Sequence, residues 1–456
     1  MKALAEIRGS GGRFAGLTRA VVALVLLCLA TLSSLAEQRF PPPDFVETNH
    51  QIPATATPGA RALWLQYGDI VVLAAALGVA LWLIYRRRSR PGLVWLSLFS
   101  MAYFGFYRNG CICSIGSLQN VSLALADPSY SISWTALAFF VLPLAVALFS
   151  GRAFCAGVCP HGALQDLLLL KPLKVPAWLE HGLGILPFVY LGIGVLLAAT
   201  GSLFVICEYD PFIPIFRLSG RAVMVGAGAG FVLLSVFVGR PYCRFLCPYG
   251  ALLKLGAIVA KGRVRVTPDT CTQCRLCEHS CPFGAMREPE SPPVTPAALA
   301  GGRRRLALAL VLVPVLILAG AGLGSRLANR ASLLNPTVAL AARLSREAAA
   351  PVPTGPLSPD DFALARAREN PRALTADATA AQRRFAIGTP LFGGWLGLVV
   401  GAKLLSLALH RRRSDYEPDR GSCFGCARCF EFCPNELVRR GLTPAAALPA
   451  LPTPRT

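Results

Sequence analysis

The sequence predicts an all-α, polytopic membrane bundle of about eight transmembrane helices, with an internal repeat and a small, split α+β domain on its cytoplasmic side. Composition is the first observation: 54% of the 456 residues are apolar and only 15% are charged, whereas soluble chains carry about a quarter charged residues. Several apolar stretches approach the roughly 20 residues that a helix needs to cross the hydrocarbon core. Two cysteine-rich runs, CTQCRLCEHSCP and CFGCARCFEFCP, begin at positions 271 and 423.

The apolar stretches predict eight membrane spans. The first is either a signal anchor or a cleaved signal peptide, because basic residues precede an apolar run that ends in small residues. We expect the spans at 18–36, 68–85, 91–108, 134–150, 182–200, 222–239, 306–323 and 386–409.

Basic residues predict the orientation of these spans, because cytoplasmic loops are enriched in Lys and Arg. Residues 86–90 carry four arginines and are predicted inside, whereas 109–133 carry neither Lys nor Arg and are predicted outside. The loop 324–385 is placed outside although it carries nine arginines, since the rule weakens for long loops. Both cysteine runs and the C-terminus then face the cytoplasm of a bacterial inner membrane.

These boundaries divide the chain into seven predicted segments. The segments are a signal anchor or signal peptide (1–36), a short periplasmic segment (37–67), a transmembrane bundle (68–260), the first half of the small domain (261–290), a helical hairpin (306–409) with the periplasmic loop 324–385, the second half of the small domain (410–440) and a flexible tail (441–456).

The net charge of +21 does not indicate a nucleic-acid partner. The basic residues cluster beside apolar stretches, as in RRRSR at 86–90 and HRRR at 410–413. This distribution is typical of membrane topology, so we expect membrane lipid and no nucleic acid as a partner.

The two cysteine runs have the spacing C-x2-C-x2-C-x3-C-P, which is typical of ferredoxins that bind 4Fe-4S clusters. In two-cluster ferredoxins the fourth cysteine of each run ligates the other cluster. The small domain is therefore predicted to be a two-cluster ferredoxin, split by two spans that return the chain to the same side. One cluster would have Cys271, Cys274, Cys277 and Cys433 as ligands, and the other Cys423, Cys426, Cys429 and Cys281. Two alternatives remain open: each run binds its own cluster, or the cysteines bind zinc.

A repeated unit, G-R-x-x-C-x-x-x-C-P-x-G-A-L, occurs at 151–164 and 239–252. It predicts two related helical units, in which cysteines four residues apart share one helix face. The pairs could meet as a third metal or redox site, or they could be separate thiol pairs. They are Cys155 with Cys159 and Cys243 with Cys247. Arg152 and Arg240 precede the pairs, where basic side chains can anchor helix ends at the lipid surface.

Three other cysteines are predicted at the periplasmic face, namely Cys111, Cys113 and Cys207. They are candidates for a redox or metal role, and the alternatives are a disulfide or inert thiols. Asp210 lies near Cys207, at a predicted membrane boundary where acidic residues are often functional. His161 directly follows Cys159-Pro160 and is a further candidate, as a proton relay or a cofactor ligand, and the alternative is a helix cap at the interface.

The repeated G-R-x-x-C-x-x-x-C-P units, followed by ferredoxin runs, resemble the membrane polyferredoxins of the NosR and NapH types. The resemblance covers 60–290 and 386–440. It implies electron transfer, with a quinol as a possible donor and a periplasmic reductase, or its maturation machinery, as the acceptor. NosR-type proteins also carry an N-terminal domain with a covalent flavin, for which we find no room here. The stretch TADAT at 375–379 lacks the glycine of the flavin-attachment motif, so any flavin is expected on a partner flavoprotein.

The sequence thus favours a membrane electron-transfer protein with two 4Fe-4S clusters, a possible third metal centre, and neither haem nor covalent flavin. It contains no catalytic motif of its own, although quinol oxidation is compatible with the pattern. The alternative is a redox-sensing or assembly factor for a periplasmic metalloenzyme.

Overall fold

The computed structural model describes residues 61–110, 113–266, 271–290, 296–347, 364, 368, 370–409 and 413–444. The described residues are mainly helical. The first part contains α1 (Leu63–Leu81), α2 (Arg90–Ser100), α3 (Ser114–Ala126), α4 (Trp134–Ser150), α5 (Ala153–Gly157), α6 (Pro160–Leu167), α7 (Ala177–Leu183), α8 (Leu186–Ala199), α9 (Val205–Glu208) and α10 (Ile213–Arg217). The second part contains α11 (Ala222–Ser235), α12 (Pro241–Phe245), α13 (Pro248–Val259), α14 (Leu276–His279), β1 (Met286–Arg287), α15 (Pro296–Ser332), α16 (Pro336–Arg346), α17 (Pro371–Ala408), β2 (Glu417–Pro418), α18 (Arg428–Phe432) and α19 (Pro434–Arg439).

Four helical stretches are long and apolar enough to cross a membrane: Leu63–Arg87, Ala177–Ala199, Ala300–Ser332 and Pro371–Ala408. They contain most of the predicted spans 68–85, 182–200, 306–323 and 386–409. The predicted spans 134–150 and 222–239 correspond to the shorter apolar helices α4 and α11. The predicted span 91–108 is α2, which continues as a π-helix from Met101 to Tyr107. The predicted span 18–36 lies outside the described residues.

The bundle core forms where α1, α3, α4, α8 and α13 pack together. Its buried side chains include Leu73, Leu118 and Phe139. Large apolar side chains also cover the outside of the bundle, and Trp95 and Phe149 are examples that are largely exposed. An apolar exterior around an apolar core is what a helix bundle in lipid requires.

Helices α15 and α17 form a long hairpin and pack closely along their length. A Cβ atom added to Gly393 would collide with the backbone carbonyl of Gly320, so glycine is required where the two backbones touch. The hairpin contacts the bundle through Trp395, whose indole N–H donates to the Phe188 carbonyl at 2.9 Å. The described part of the predicted loop 324–385 is largely helical, because it is rich in Ala and Arg, which are strong helix formers.

The two cysteine runs meet in one small domain beside the bundle. Strands β1 and β2 pair in antiparallel orientation, with Met286 opposite Pro418. An isolated bridge between Glu290 and Arg413 extends this pairing, and α14 packs against α18. Residues on both sides of the long hairpin therefore share one α+β unit.

The two repeated units have the same local structure, but each cysteine pair spans a helix break instead of one helix. Cys155 lies in α5 and Cys243 in α12, whereas Cys159 and Cys247 are the N-cap residues of α6 and α13. The expectation of sulfurs four residues apart on one helix face was therefore wrong. The proline that follows each second cysteine has no N–H, so it begins a new helix at its first position.

Candidate functional site

The first thiol group, Cys271, Cys274, Cys277 and Cys433, combines three cysteines of one run with the last cysteine of the other. Burial and the nearby thiols of Cys271, Cys433 and Cys274 raise the pKa of the Cys277 thiol to about 12. All four side chains, with Tyr416 and Val266, line one small cavity. The fold thus brings Cys433 next to the first run.

The second thiol group combines three cysteines of the second run with the last cysteine of the first run. Its members are Cys423, Cys426, Cys429 and Cys281. Burial and the thiols of Cys423, Cys426 and Cys281 raise the pKa of Cys429 well above its usual value, and Cys277 of the first group adds to this effect. The two groups are therefore neighbours within the small domain.

Both runs share an unusual backbone conformation. Gln273 and Arg275 adopt positive φ angles of 51° and 62°, and the equivalent residues Gly425 and Ala427 have φ angles of 67° and 63°. Turns that include left-handed residues orient successive N–H groups into a concave nest, which is found at many Fe–S sites. The strained residues Gln273, Arg275 and Ala427 thus coincide with loops suited to an anionic cluster.

The donor set in these two groups fits a 4Fe-4S cluster, which takes four cysteine thiolates, one on each iron. Within the described ranges, no three His, Cys, Asp or Glu side chains are placed to hold a single metal ion.

The third thiol group consists of the four cysteines of the repeated units, all of which are buried. Cys159 lies close enough to Cys243, Cys155 and Cys247 to interact with them electrostatically. The Gln165 amide donates to the Cys243 sulfur at 3.3 Å, and the Gly250 N–H donates to the Cys247 sulfur at 3.2 Å. The structure therefore brings the two repeated pairs together and directs N–H donors at their sulfurs.

Two buried arginines lie between the second and third thiol groups. Arg240 has no exposed surface, donates to the Ala156 carbonyl at 3.2 Å and also contacts the Cys155 carbonyl. Arg152 stacks on Phe424, 4.1 Å from the ring centroid, and donates to the Gly421 carbonyl at 3.3 Å. The expectation that these arginines anchor helix ends at the lipid surface was wrong.

Asp166 joins Arg240 to two further arginines, Arg90 and Arg428, which together with Arg152 form what we call the arginine layer. Its carboxylate lies 2.5 Å from Arg90, 3.2 Å from Arg240 and 3.6 Å from Arg428. Arg90 also donates to the Cys426 carbonyl at 3.3 Å. Asp166 was not among the residues predicted from the sequence. The repeated G-R dipeptide at 151–152 and 239–240 was the available signal for the arginines.

Asp166→Asn is expected to destabilise the fold by about 3–5 kcal/mol, because it leaves several buried arginines without their shared carboxylate. The free energy of unfolding in detergent measures the effect. The matched control is Glu347→Gln, which removes a half-exposed partner of Arg343 and should cost at most about 1 kcal/mol. Equal losses for the two variants would contradict the role given to Asp166.

A cavity of about 540 Å³ lies at the end of the bundle farthest from the small domain. It is bordered by the beginnings of α1 and α4 and by the segment that follows α8. Cys113 and Cys207 both line it, together with Asp210. The structure thus brings two of the three cysteines predicted at the periplasmic face to one cavity, and Cys111 lies outside the described residues.

His161 connects this cavity with the third thiol group. Its Nε2 atom lies 3.1 Å and 3.2 Å from the two carboxylate oxygens of Asp210, and its Nδ1 atom has no hydrogen-bond partner among the described residues. The imidazole is fully buried against Phe212, Phe216 and Tyr242. The three thiol groups, His161 and the cavity therefore follow one another from one end of the molecule to the other.

Two family models match the segments that carry these thiols. One model, described as a 4Fe-4S binding domain, matches 132–178 and 221–266, which contain both repeated cysteine pairs. Another 4Fe-4S binding domain model matches 264–287, which contains the first ferredoxin run. No solved structure matches the chain.

Several proteins are similar to this chain over part of its length. The "Regulatory protein NosR" of Pseudomonas aeruginosa is 28% identical over half of this chain and 36% of NosR. The "Putative electron transport protein YccM" of Escherichia coli is 26% identical over 37% of this chain and 52% of YccM. The "Methylamine utilization ferredoxin-type protein MauN" of Methylobacillus flagellatus is 29% identical over 46% of this chain and 78% of MauN. The chain thus spans about half of YccM and about a third of NosR.

With its apolar helices and 4Fe-4S binding segments, the chain is a NosR/NapH-like membrane iron–sulfur protein with ferredoxin-type domains.

Proposed function

We propose that this protein carries electrons through three 4Fe-4S clusters, two in the small domain and one in the bundle. The first and second thiol groups would hold the ferredoxin clusters, with Cys433 and Cys281 exchanged between the runs. The third thiol group would hold the third cluster. The observation that carries the proposal is the grouping of twelve cysteines into three sets of four, which follow one another through the molecule.

Bound 4Fe-4S clusters would supply one-electron carriers whose potentials depend on net charge, hydrogen bonds to sulfur and burial. The chain adjusts each of these factors around the third thiol group. Arg152 and Arg240 bring positive charge beside the sulfurs, Gln165 donates a hydrogen bond, and the four cysteines are buried. Positive charge near a cluster stabilises its reduced form, so Arg152 and Arg240 would raise the reduction potentials of clusters bound at the second and third groups.

We propose that the electrons pass between a quinol or cytoplasmic donor and a periplasmic reductase system. Arg88 and Arg90, from the arginine run predicted inside, contact the small domain: Arg88 lies 2.8 Å from Glu436, and Arg90 donates to the Cys426 carbonyl. This contact supports a cytoplasmic location of the small domain in a bacterial inner membrane. The opposite cavity, with Cys113 and Cys207, then lies toward the periplasm, where a partner protein would exchange electrons.

A second candidate function is a redox sensor or an assembly factor for a periplasmic metalloenzyme. The similarity to NosR, which is named a regulatory protein, favours it. So does α16, a helix that packs on α17 through Val338, Ala378 and Ala381 and is separate from the thiol groups. A client protein could read the state of the clusters at such a surface without accepting electrons.

The iron content of anaerobically purified protein tests the proposal. Three clusters predict about twelve irons and twelve acid-labile sulfides per chain, four of each per cluster. Electron paramagnetic resonance after dithionite reduction should show coupling between the two clusters of the small domain. About eight irons would restrict the proposal to the small domain, and zinc or no metal in folded protein would overturn it. Reductase activity that survives loss of all clusters in cells would favour the sensor or assembly role.

A further inference from the structure

A second large cavity, of about 940 Å³, lies between the bundle and the small domain. One wall comes from α7, the beginning of α8 and the end of α17. The other walls come from α13, β1 and the segment around β2. Cys243 of the third thiol group and Phe424, next to Cys423 of the second, both reach this cavity. None of the functions proposed above uses it.

The cavity has an excess of positive charge. Four basic side chains that line it, Arg152, Lys254, Arg287 and Lys403, have no carboxylate within ion-pair distance among the described residues. Three of the four carboxylates at the wall have ion-pair partners: Glu180 lies 3.0 Å from Arg244, Glu417 3.6 Å from Arg263 and Glu290 3.3 Å from Arg413. The fourth, Asp419, accepts a hydrogen bond from the Ser422 N–H at 2.8 Å and lies near enough to Lys254 and Lys403 to interact with them electrostatically. The Nε atom of Arg152 is buried without a hydrogen-bond partner. Eight Arg and Lys side chains but only four carboxylates line the cavity, and this excess of positive charge favours an anionic ligand.

The same cavity has an apolar side. Ile258 on α13 and Leu407 on α17 line it, and about half of each side chain is exposed. Leu407 lies one helical turn after Lys403, at the end of the candidate span Pro371–Ala408. The beginning of the candidate span Ala177–Ala199 lies at the same cavity. Span ends mark the level of the lipid headgroups, so the cations lie where a membrane presents its phosphates.

We propose that this cavity binds an anionic phospholipid. Its phosphate lies among Lys254, Lys403 and Arg152, and its acyl chains run along Ile258 and Leu407 into the membrane. Basic pockets between transmembrane helices are known to accept such headgroups. The bound headgroup contacts the side chain of Arg152 and joins the small domain to the bundle. Arg152 also contacts the Cys155 sulfur of the third thiol group and stacks on Phe424, the neighbour of Cys423 in the second. This inference rests on the membrane location of the protein and not on which cysteines bind which cluster.

The test uses the full-length protein in nanodiscs of phosphatidylcholine, with and without phosphatidylglycerol. The variant is Lys254→Gln/Lys403→Gln, and the matched control is Arg303→Gln/Arg304→Gln, which removes two exposed cations of α15. Each cation near the surface contributes about a fivefold factor in affinity, so the variant should bind phosphatidylglycerol about 25-fold more weakly. Native mass spectrometry of the extracted protein counts the retained lipid, and iron analysis is done on the same samples.

Selective loss of phosphatidylglycerol in the variant, with retention in the control and unchanged iron content, would support the proposal. Equal retention in both proteins would overturn it. Displacement of the lipid by millimolar inorganic phosphate would also overturn it, because the site would then recognise a free anion. Retention of lipid by protein that contains no iron would leave this site intact and would instead contradict the electron-transfer function.

Discussion

Cys433→Ala is expected to destroy the cluster of the first thiol group, although Cys433 belongs to the other cysteine run. The reason is the fold, which places Cys433 beside Cys271, Cys274 and Cys277. Removing one of four thiolates leaves one iron without a protein ligand. We therefore expect about four irons fewer per chain and loss of the magnetic coupling between the two ferredoxin clusters.

Double variants distinguish exchanged ligation from ligation within each run. If the ligands are exchanged, Cys433→Ala and Cys274→Ala damage the same cluster, and the double variant keeps one ferredoxin cluster. Cys433→Ala combined with Cys423→Ala would then damage both. If each run bound its own cluster, the two outcomes would be reversed.

The matched control for these variants is Thr272→Ala, which changes a non-cysteine residue at the same cavity. It should retain the iron content and the spectrum of the parent protein. Loss of iron in Thr272→Ala would mean that the loop tolerates no change, and the cysteine variants would then have to be compared as serine substitutions.

The grouping of the cysteines could be predicted from the sequence, whereas the buried residues around them could not. The spacing of the runs is enough to predict four-thiol groups, because a short C-x2-C-x2-C loop reaches only three irons and the fourth ligand must come from elsewhere. The exchanged partner was inferred from two-cluster ferredoxins, and the even number of spans between the runs allows the two halves to meet on one side. The structure groups the thiols in this way, while the ligation itself remains to be tested by the variants above.

The arginine layer could not be predicted in the same way. Arg152 and Arg240 follow apolar stretches, and basic residues in that position usually lie at the membrane surface. They are buried instead, because Asp166 and backbone carbonyls compensate their charge. Asp166 is distant in sequence from Arg240, and Gly421 is distant from Arg152, so these partners meet only in the folded protein.

The helix breaks within the repeated units were also not predicted from the sequence. Cysteines four residues apart suggest one helix face, and only the proline after each second cysteine opposes this interpretation. In the structure that proline begins a new helix, so Cys159 and Cys247 become N-cap residues. The four cysteines of the two repeats come together beside these breaks.

Cys243→Ala is expected to remove the third cluster while the ferredoxin clusters remain. Cys243 is buried beside Cys155, and its sulfur accepts a hydrogen bond from Gln165. The substitution removes one thiolate at the centre of the bundle, so iron should fall by about four per chain, and the coupled ferredoxin signal should persist. Electron flow to the periplasmic acceptor should be lost in the same variant, because the third thiol group is the step between the small domain and the opposite cavity.

The control for this prediction is Cys207→Ala, a cysteine of the opposite cavity that does not belong to any of the three thiol groups. It should keep the full iron content, which separates the loss of a cluster from a general effect of cysteine removal. If Cys243→Ala retains all the iron of the parent protein, the repeated pairs are thiols without a cluster. Electrons would then have to leave from the small domain, and the sensor or assembly function would become the better explanation of a chain that spans the membrane.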